Sequence, residues 1–333
     1  MIGSMPQADP GQACALVRRH LPQVPAWPQL PRRSFMENMY VQFSQGFPGI
    51  ELDMEAESIW VDRARDLAQP LEALYAAYLG NDLEHFAIGA DYAAGLHVFL
   101  DTEPGSALVV KGQVTGPVSW GLTVTDQERR PVLYDDTLAD ALAKHLRLKA
   151  AWQERQLERL RRPTVIFIDE PYMASFGSAF VSLERQQVTS LLEEVLGGIA
   201  GIKGVHCCGN TDWSLLLGTS VNILSLDAYG FAHTLALYPD EVKAFLGKGG
   251  VIAWGIVPNE EALLEKESAA SLADRLEDGA IAPLARKGVP YKQLQRQALL
   301  TPGCGLSGLS LDASEHALEL LASLSQRLRQ RYC

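Results

Sequence analysis

The chain has 333 residues, 47% of them hydrophobic and 21% charged, and a formal net charge of −11. That is the composition of a soluble globular protein with a sizeable core, and the negative balance excludes a nucleic-acid binder, whose affinity rests on Lys and Arg at phosphates. No apolar run approaches the ~20 residues of a membrane span, and the start "MIGSMPQADP" lacks the basic and apolar segments of a signal peptide.

Eight short β-like runs follow one another along the chain: "MIGS" (1–4), "PAWPQL" (25–30), "ALVVKGQVTG" (107–116), "TVIFIDE" (164–170), "IKGVHCC" (202–208), "VNILSLDA" (221–228), "VIAWGIV" (251–257) and "ALLTPGC" (298–304). Several are almost continuously apolar, as parallel strands covered by helices are. Helical patterns occupy 11–21, 137–161, 178–198, 238–247, 260–287 and 312–331, and "YPDEV" and "LDASEH" carry acidic or hydroxyl starts. The basic clusters "RLRRP" (159–163) and "RLRQR" (327–331) fall at helix ends, where the dipole favours cations. Alternation of these elements predicts an α/β fold, a TIM (β/α)8 barrel with a long insertion after the second strand.

The segment 31–106 is too long for a simple βα connection. It is expected to fold over part of the barrel mouth and to include the amphipathic "VDRARDLAQPLEALYAAYL". The first strand starts at Met1, so it is either very short or preceded by residues upstream. No repeat or low-complexity linker divides the chain, and 1–333 is expected to form one catalytic domain.

The five cysteines, Cys14, Cys207, Cys208, Cys304 and Cys333, are odd in number and lack framework spacing. A disulfide scaffold is not expected, and a reduced cytoplasmic setting is. In "GVHCCGNTDW" (204–213) alternate side chains of an extended strand share a face. His206 and Cys208 therefore point together, and Cys207 points toward the helices. The pair lies at the end of the fifth predicted strand, the end where barrel active sites are built. Cys304, in the Gly-rich "TPGCGL" ending the eighth, completes a Cys₂His set that suits zinc and leaves a coordination position open. Asp227, the last polar residue of the sixth, is either a fourth ligand or a carboxylate capping a helix.

The motifs "IGSMPQ" (2–7), "KGQVTGPV" (111–118), "IDEP" (168–171), "HCC" (206–208), "LSLDA" (224–228) and "PGCG" (302–305), in that order, resemble the C-terminal catalytic barrel of cobalamin-independent methionine synthases. That family belongs to the methyltransferase and uroporphyrinogen decarboxylase superfamily. "HCCGN" and "PGCG" are also similar to zinc methyltransferases that take methyl groups from corrinoid proteins. The resemblance implies Zn²⁺ held by His206, Cys208, Cys304 and, where the family has glutamate, Asp227. It implies that Ile2 and Ser4 contact the amino-acid part of homocysteine and that Asp169 holds its ammonium. Glu170 would be a further pocket carboxylate, and Glu37 in "MENMY" a loose match to another. Without the resemblance, "IDEP" reads as a helix start. The family's histidine at the end of the seventh strand has no counterpart in "WGIVPN".

The implied chemistry is methyl transfer to a zinc-activated thiol, homocysteine giving methionine. The family's N-terminal barrel, which full-length members carry, is not in this sequence. The expected donor is thus a methylcobamide, free or on a corrinoid protein, since the chain has no D-x-H-x-x-G pattern of its own. The aromatic "NMYVQFSQGFPG" (38–49) reads as packing or as a lip for such a partner. Other readings are a coenzyme M-type acceptor, a porphyrinogen decarboxylase using Arg18, Arg19, Arg32 and Arg33, and a non-catalytic zinc-binding barrel.

Overall fold

A computed structural model describes residues 1–179 and 181–332. Among the described residues there are nine strands: β1 (Ile50–Asp53), β2 (Ser58–Val61), β3 (Val110–Thr115), β4 (Thr125–Asp126), β5 (Thr164–Asp169), β6 (Ile202–Cys207), β7 (Ile223–Leu226), β8 (Val251–Val257) and β9 (Ala298–Pro302). Six of them form one parallel sheet in the order β3-β5-β6-β7-β8-β9. β3 and β5 are buried along their whole length, which is why their sequences do not alternate. Helices join the strands, so the chain has a curled parallel α/β sheet of TIM-like type.

The first two predicted strands are not strands of this sheet. They contribute isolated parallel bridges, Ser4 to Gln29 and Ala26 to Lys111. The reason is local: 25–30 contains Pro25 and Pro28, which have no N–H to donate, and 1–4 is only four residues long. Backbone bonds persist where donors exist, from Gln29 to Gly3, Met5 to Gln29 and Leu306 to Ser4. A continuous eight-stranded ladder is not formed.

The segment 31–106 holds an antiparallel hairpin of β1 and β2, with β4 added in parallel to β2. It also holds the helices Ala68–Leu79 and Ala94–Leu100. Its helical turn Met39–Gln42 touches the C-terminal edge of the sheet, where Thr115 Oγ1 donates to Met39 O at 2.7 Å and Trp120 Nε1 to Tyr40 O at 2.8 Å. Helix Ala68–Leu79 packs on the outer helix Asp136–Glu158. The predicted helix 178–198 is observed as Arg185–Leu196, and its first turn includes Phe180, outside the described residues. The predicted 260–287 helix is broken into Glu261–Leu264, Ala269–Leu276, a π turn at Glu277–Ile281 and Ala282–Arg286.

Candidate metal centre

Register across the parallel strands builds the site. Asp169 on β5 pairs with His206 on β6, and His206 with Ser225 on β7. Registered neighbours in a parallel sheet point to the same side, so these three form one row near the C-terminal ends of the strands. Cys208 follows one residue past β6, and Cys304 two residues past β9. The ligand atoms of His206, Cys208 and Cys304 lie within 4.8 Å of one another. Cys207 is fully buried, turned into the core shared with the helices, as strand alternation requires.

His206 is buried, and its Nδ1 is 3.0 Å from Ser225 Oγ. Its Nε2 is buried without a partner, as is Oδ1 of Asp169. Buried polar atoms are rarely left alone, so an unpartnered imidazole nitrogen beside two sulfurs is a donor set that could hold a cation. The interaction with Cys304 pulls the Cys208 thiol down, and the reciprocal effect plus burial pushes Cys304 up. Burial pushes the Cys207 thiol up to about 12, making it inert. Ligands on one tetrahedral zinc, with bonds of about 2.0–2.3 Å, stand roughly 3.5–4 Å apart. The cluster, with its ligand atoms within 4.8 Å, is close to that spacing, and its donor set suits zinc.

Glycine on both sides of Cys304 has a steric cause. A Cβ on Gly303 would lie 2.8 Å from Asp227 Oδ1, and one on Gly305 would lie 2.0 Å from Ser4 Oγ. "PGCG" therefore lets the Cys304 turn wedge between the ends of β7 and the first bridge. Ser4 is thereby brought to the cluster. The carbonyl of Ile2 accepts from the buried Lys111 ammonium.

Three carboxylates named from the sequence have other partners. Asp227 is the N-cap of helix Ala228–Leu235, Oδ1 accepting from Gly230 N at 3.0 Å, and it lies outside the three-ligand group. Burial pushes its carboxyl above the usual range. Glu170 accepts from Val118 N at 3.0 Å and from Ser119 N and Oγ at 2.7 and 2.6 Å, closing the first turn of helix Pro117–Thr123. "TGPV" and "IDEP" are thus two halves of one hydrogen-bonded unit. Burial outweighs those three bonds and lifts Glu170 to about 7. Glu37 is buried against Leu30 N at 3.1 Å and Arg33 Nη1 at 2.9 Å. Asp169 keeps a free oxygen; burial raises its carboxyl, opposed by Lys111 and His206.

Two features of the site were not singled out from the sequence. Ser225 stands in the quoted "LSLDA", but only strand register places it against His206. Asn259 and Glu260 line, with Asp227 and Tyr229, a small rim cavity of about 300 Å³.

Fold and site together define a curled parallel α/β protein with an imidazole and two thiols at the C-terminal edge of its sheet. No protein-family model and no curated protein matches the sequence. Among solved structures, a methyltransferase from Methanosarcina mazei aligns with a TM-score of 0.58 and 13% identity, over 98% of this chain and 87% of that one. A putative vitamin-B12-independent methionine synthase from Listeria monocytogenes aligns with a TM-score of 0.57 and 13% identity, over 97% and 86%. At that identity the likeness establishes a shared fold. No helix among the described residues is long and apolar enough to cross a membrane.

Proposed function

We propose that the protein is a zinc-dependent methyltransferase that moves a methyl group from a methylcobamide, free or carried by a corrinoid protein, to the sulfur of homocysteine. The observation that carries this reading is the cluster of His206, Cys208 and Cys304, with His206 Nε2 unpartnered and Nδ1 held by Ser225. Likeness in fold to a methyltransferase and a putative methionine synthase supports it. In the same reading 1–333 is one catalytic unit, an eight-stranded barrel whose first two places are the bridges at Ser4–Gln29 and Ala26–Lys111, with 31–106 over its mouth.

His206, Cys208 and Cys304 would hold the ion, and Asp227, beside Gly303 and capping its helix through Oδ1, would be the candidate fourth ligand. Zinc, when bound, supplies the Lewis acidity that removes the proton of an acceptor thiol at neutral pH. Ser225 fixes the imidazole ring, so that Nε2 carries the lone pair toward the sulfurs. Asp169, one register step away with a free oxygen, binds the ammonium of the acceptor and sets its orientation. Ser4, packed on Gly305, lies where the acceptor's amino-acid end would rest. In the transfer, the acceptor sulfur attacks the methyl carbon as the donor's bond to that carbon breaks.

Mixed with homocysteine and methylcobalamin, the protein should form methionine, and far more slowly with methyltetrahydrofolate. Asp169→Asn should raise the homocysteine requirement about ten- to a hundredfold with zinc retained, since a charge-assisted contact contributes roughly 1.5–3 kcal/mol. Preference for coenzyme M over homocysteine would overturn the acceptor. Absence of methyl transfer to any thiol by the zinc-loaded protein would overturn the enzyme.

A further inference from the structure

At the opposite end of the sheet from the metal cluster lies a cavity of about 920 Å³. Ile202, Ile223, Val251 and Ala298, the first residues of β6, β7, β8 and β9, stand around it. The floor of a TIM-like sheet is ordinarily filled by side chains, and this volume is that of a pocket for a drug-sized molecule. One wall is the inner face of the sheet, where Val165, Phe167, Ile223 and Ala253 form an apolar cluster separate from the main core. Another is made by helices Ala269–Leu276 and Leu311–Tyr332, through Leu276, Leu321 and Ala322.

The lining also carries polar atoms that have nothing to bond. Trp254 Nε1, Thr301 Oγ1 and Gln295 Nε2 are buried without a hydrogen-bond partner. Trp254 is 0% exposed and Thr301 8%, so water at the surface does not serve them. All three are donors in any protonation state, which asks for acceptor oxygens from a ligand. The ionic balance agrees. Lys111, buried in the same lining, donates to two neutral oxygens, Ile2 O and Gln113 Oε1, and stands over the Phe167 ring; it has no salt bridge among the described residues, and Asp169 acts on it only at longer range. Arg296 and Arg329 stand at the rim, and Glu277 is the one acid in the lining.

We infer that this cavity binds an amphiphilic monocarboxylate of the fatty-acid type, its apolar body between the sheet and helix Leu311–Tyr332 and its carboxylate on Lys111. The inference does not rest on the methyltransferase reading: none of His206, Cys208 and Cys304 is in the lining. Desolvation lowers the Lys111 ammonium to about 8, only partly opposed by the charge of Asp169. An anion placed there would hold it charged.

Isothermal titration of the full chain with oleate, and with oleyl alcohol as the uncharged control, tests this. The expected result is one saturable oleate site per chain, at least about tenfold tighter than the alcohol, as a charge-assisted contact implies. Lys111→Met should abolish that preference. Ala322→Trp, and independently the milder Ser325→Leu, should weaken oleate about tenfold or more by filling the apolar wall. Both filling variants should keep the circular dichroism spectrum and urea midpoint of the parent, which shows that they fold. Absence of saturable binding, equal affinity for the alcohol, or binding untouched by both filling variants would overturn the assignment.

Discussion

Ser225 Oγ, 3.0 Å from His206 Nδ1, is the residue on which the geometry of the cluster turns. Partners of this kind orient a ligating imidazole, and removing one typically weakens metal affinity about 10–100-fold. Ser225→Ala should therefore release zinc to a competing chelator at correspondingly lower chelator concentration, with an unchanged circular dichroism spectrum. Asp227 poses the converse case. As the cap of helix Ala228–Leu235 it contributes roughly 0.5–2 kcal/mol to stability, so Asp227→Ala should lower the urea midpoint while Asp227→Asn should not. Zinc retention should fall less in Asp227→Ala than in Cys208→Ser; an equal fall would make Asp227 a ligand. The pairing of His206 with Cys208, and the opposite aim of Cys207, were legible because strand alternation has a fixed period. The duties of Glu170 and Glu37 were not legible, and for Asp227 the helix cap stood as one of two open readings. Each is decided by which N–H groups the fold brings up, and those belong in part to residues as distant as Val118 and Ser119.

At the scale of elements, the six runs that became the sheet were readable from their unbroken apolar stretches, since both faces are covered. The runs at 1–4 and 25–30 looked alike in composition, but prolines and length reduce them to bridges. The hairpin Ile50–Asp53 and Ser58–Val61 was missed because four-residue strands with mixed burial carry too little period to register. The joint between helix Pro117–Thr123 and Glu170 has a direct test. A Cβ on Gly116 would fall 2.2 Å from the Glu170 carboxyl, so Gly116→Ala should cost about 1–3 kcal/mol by overpacking, read as a lower urea midpoint. Helix Asp136–Glu158 offers a pH test. Its Lys149 is fully buried, donates only to Phe86 O, and is pushed by burial from 10.5 to about 7. Between those values the unfolded chain holds a proton that the folded chain lacks, so stability rises with pH across that window, by at most about 1.4 kcal/mol per unit. Lys149→Met should flatten the dependence between pH 7 and 10 and stabilise the protein at pH 7 by on the order of a few kcal/mol. A parent curve that is flat over the same range would contradict it.

On the scale of the whole molecule, the two ends of the sheet carry different chemistry. The C-terminal edge gathers His206, Cys208, Cys304, Asp169 and Ser4, drawn from chain positions up to 300 residues apart (304 − 4). The N-terminal edge encloses an apolar cavity with orphaned donors. Only parallel strands, whose like ends all lie on one side, sort distant motifs in this way. That is why the order of motifs along the chain was informative before any contact was known, whereas the cavity, made by what is missing between elements, left no mark in the sequence. The central claim is that the three-residue cluster is a zinc centre. Metal analysis of the purified protein, before and after Cys208→Ser, tests it most directly. The account predicts one tightly held zinc per chain in the parent and its loss in a variant that remains folded; a parent that transfers methyl groups without zinc, or a folded Cys208→Ser variant that keeps it undiminished, would contradict it.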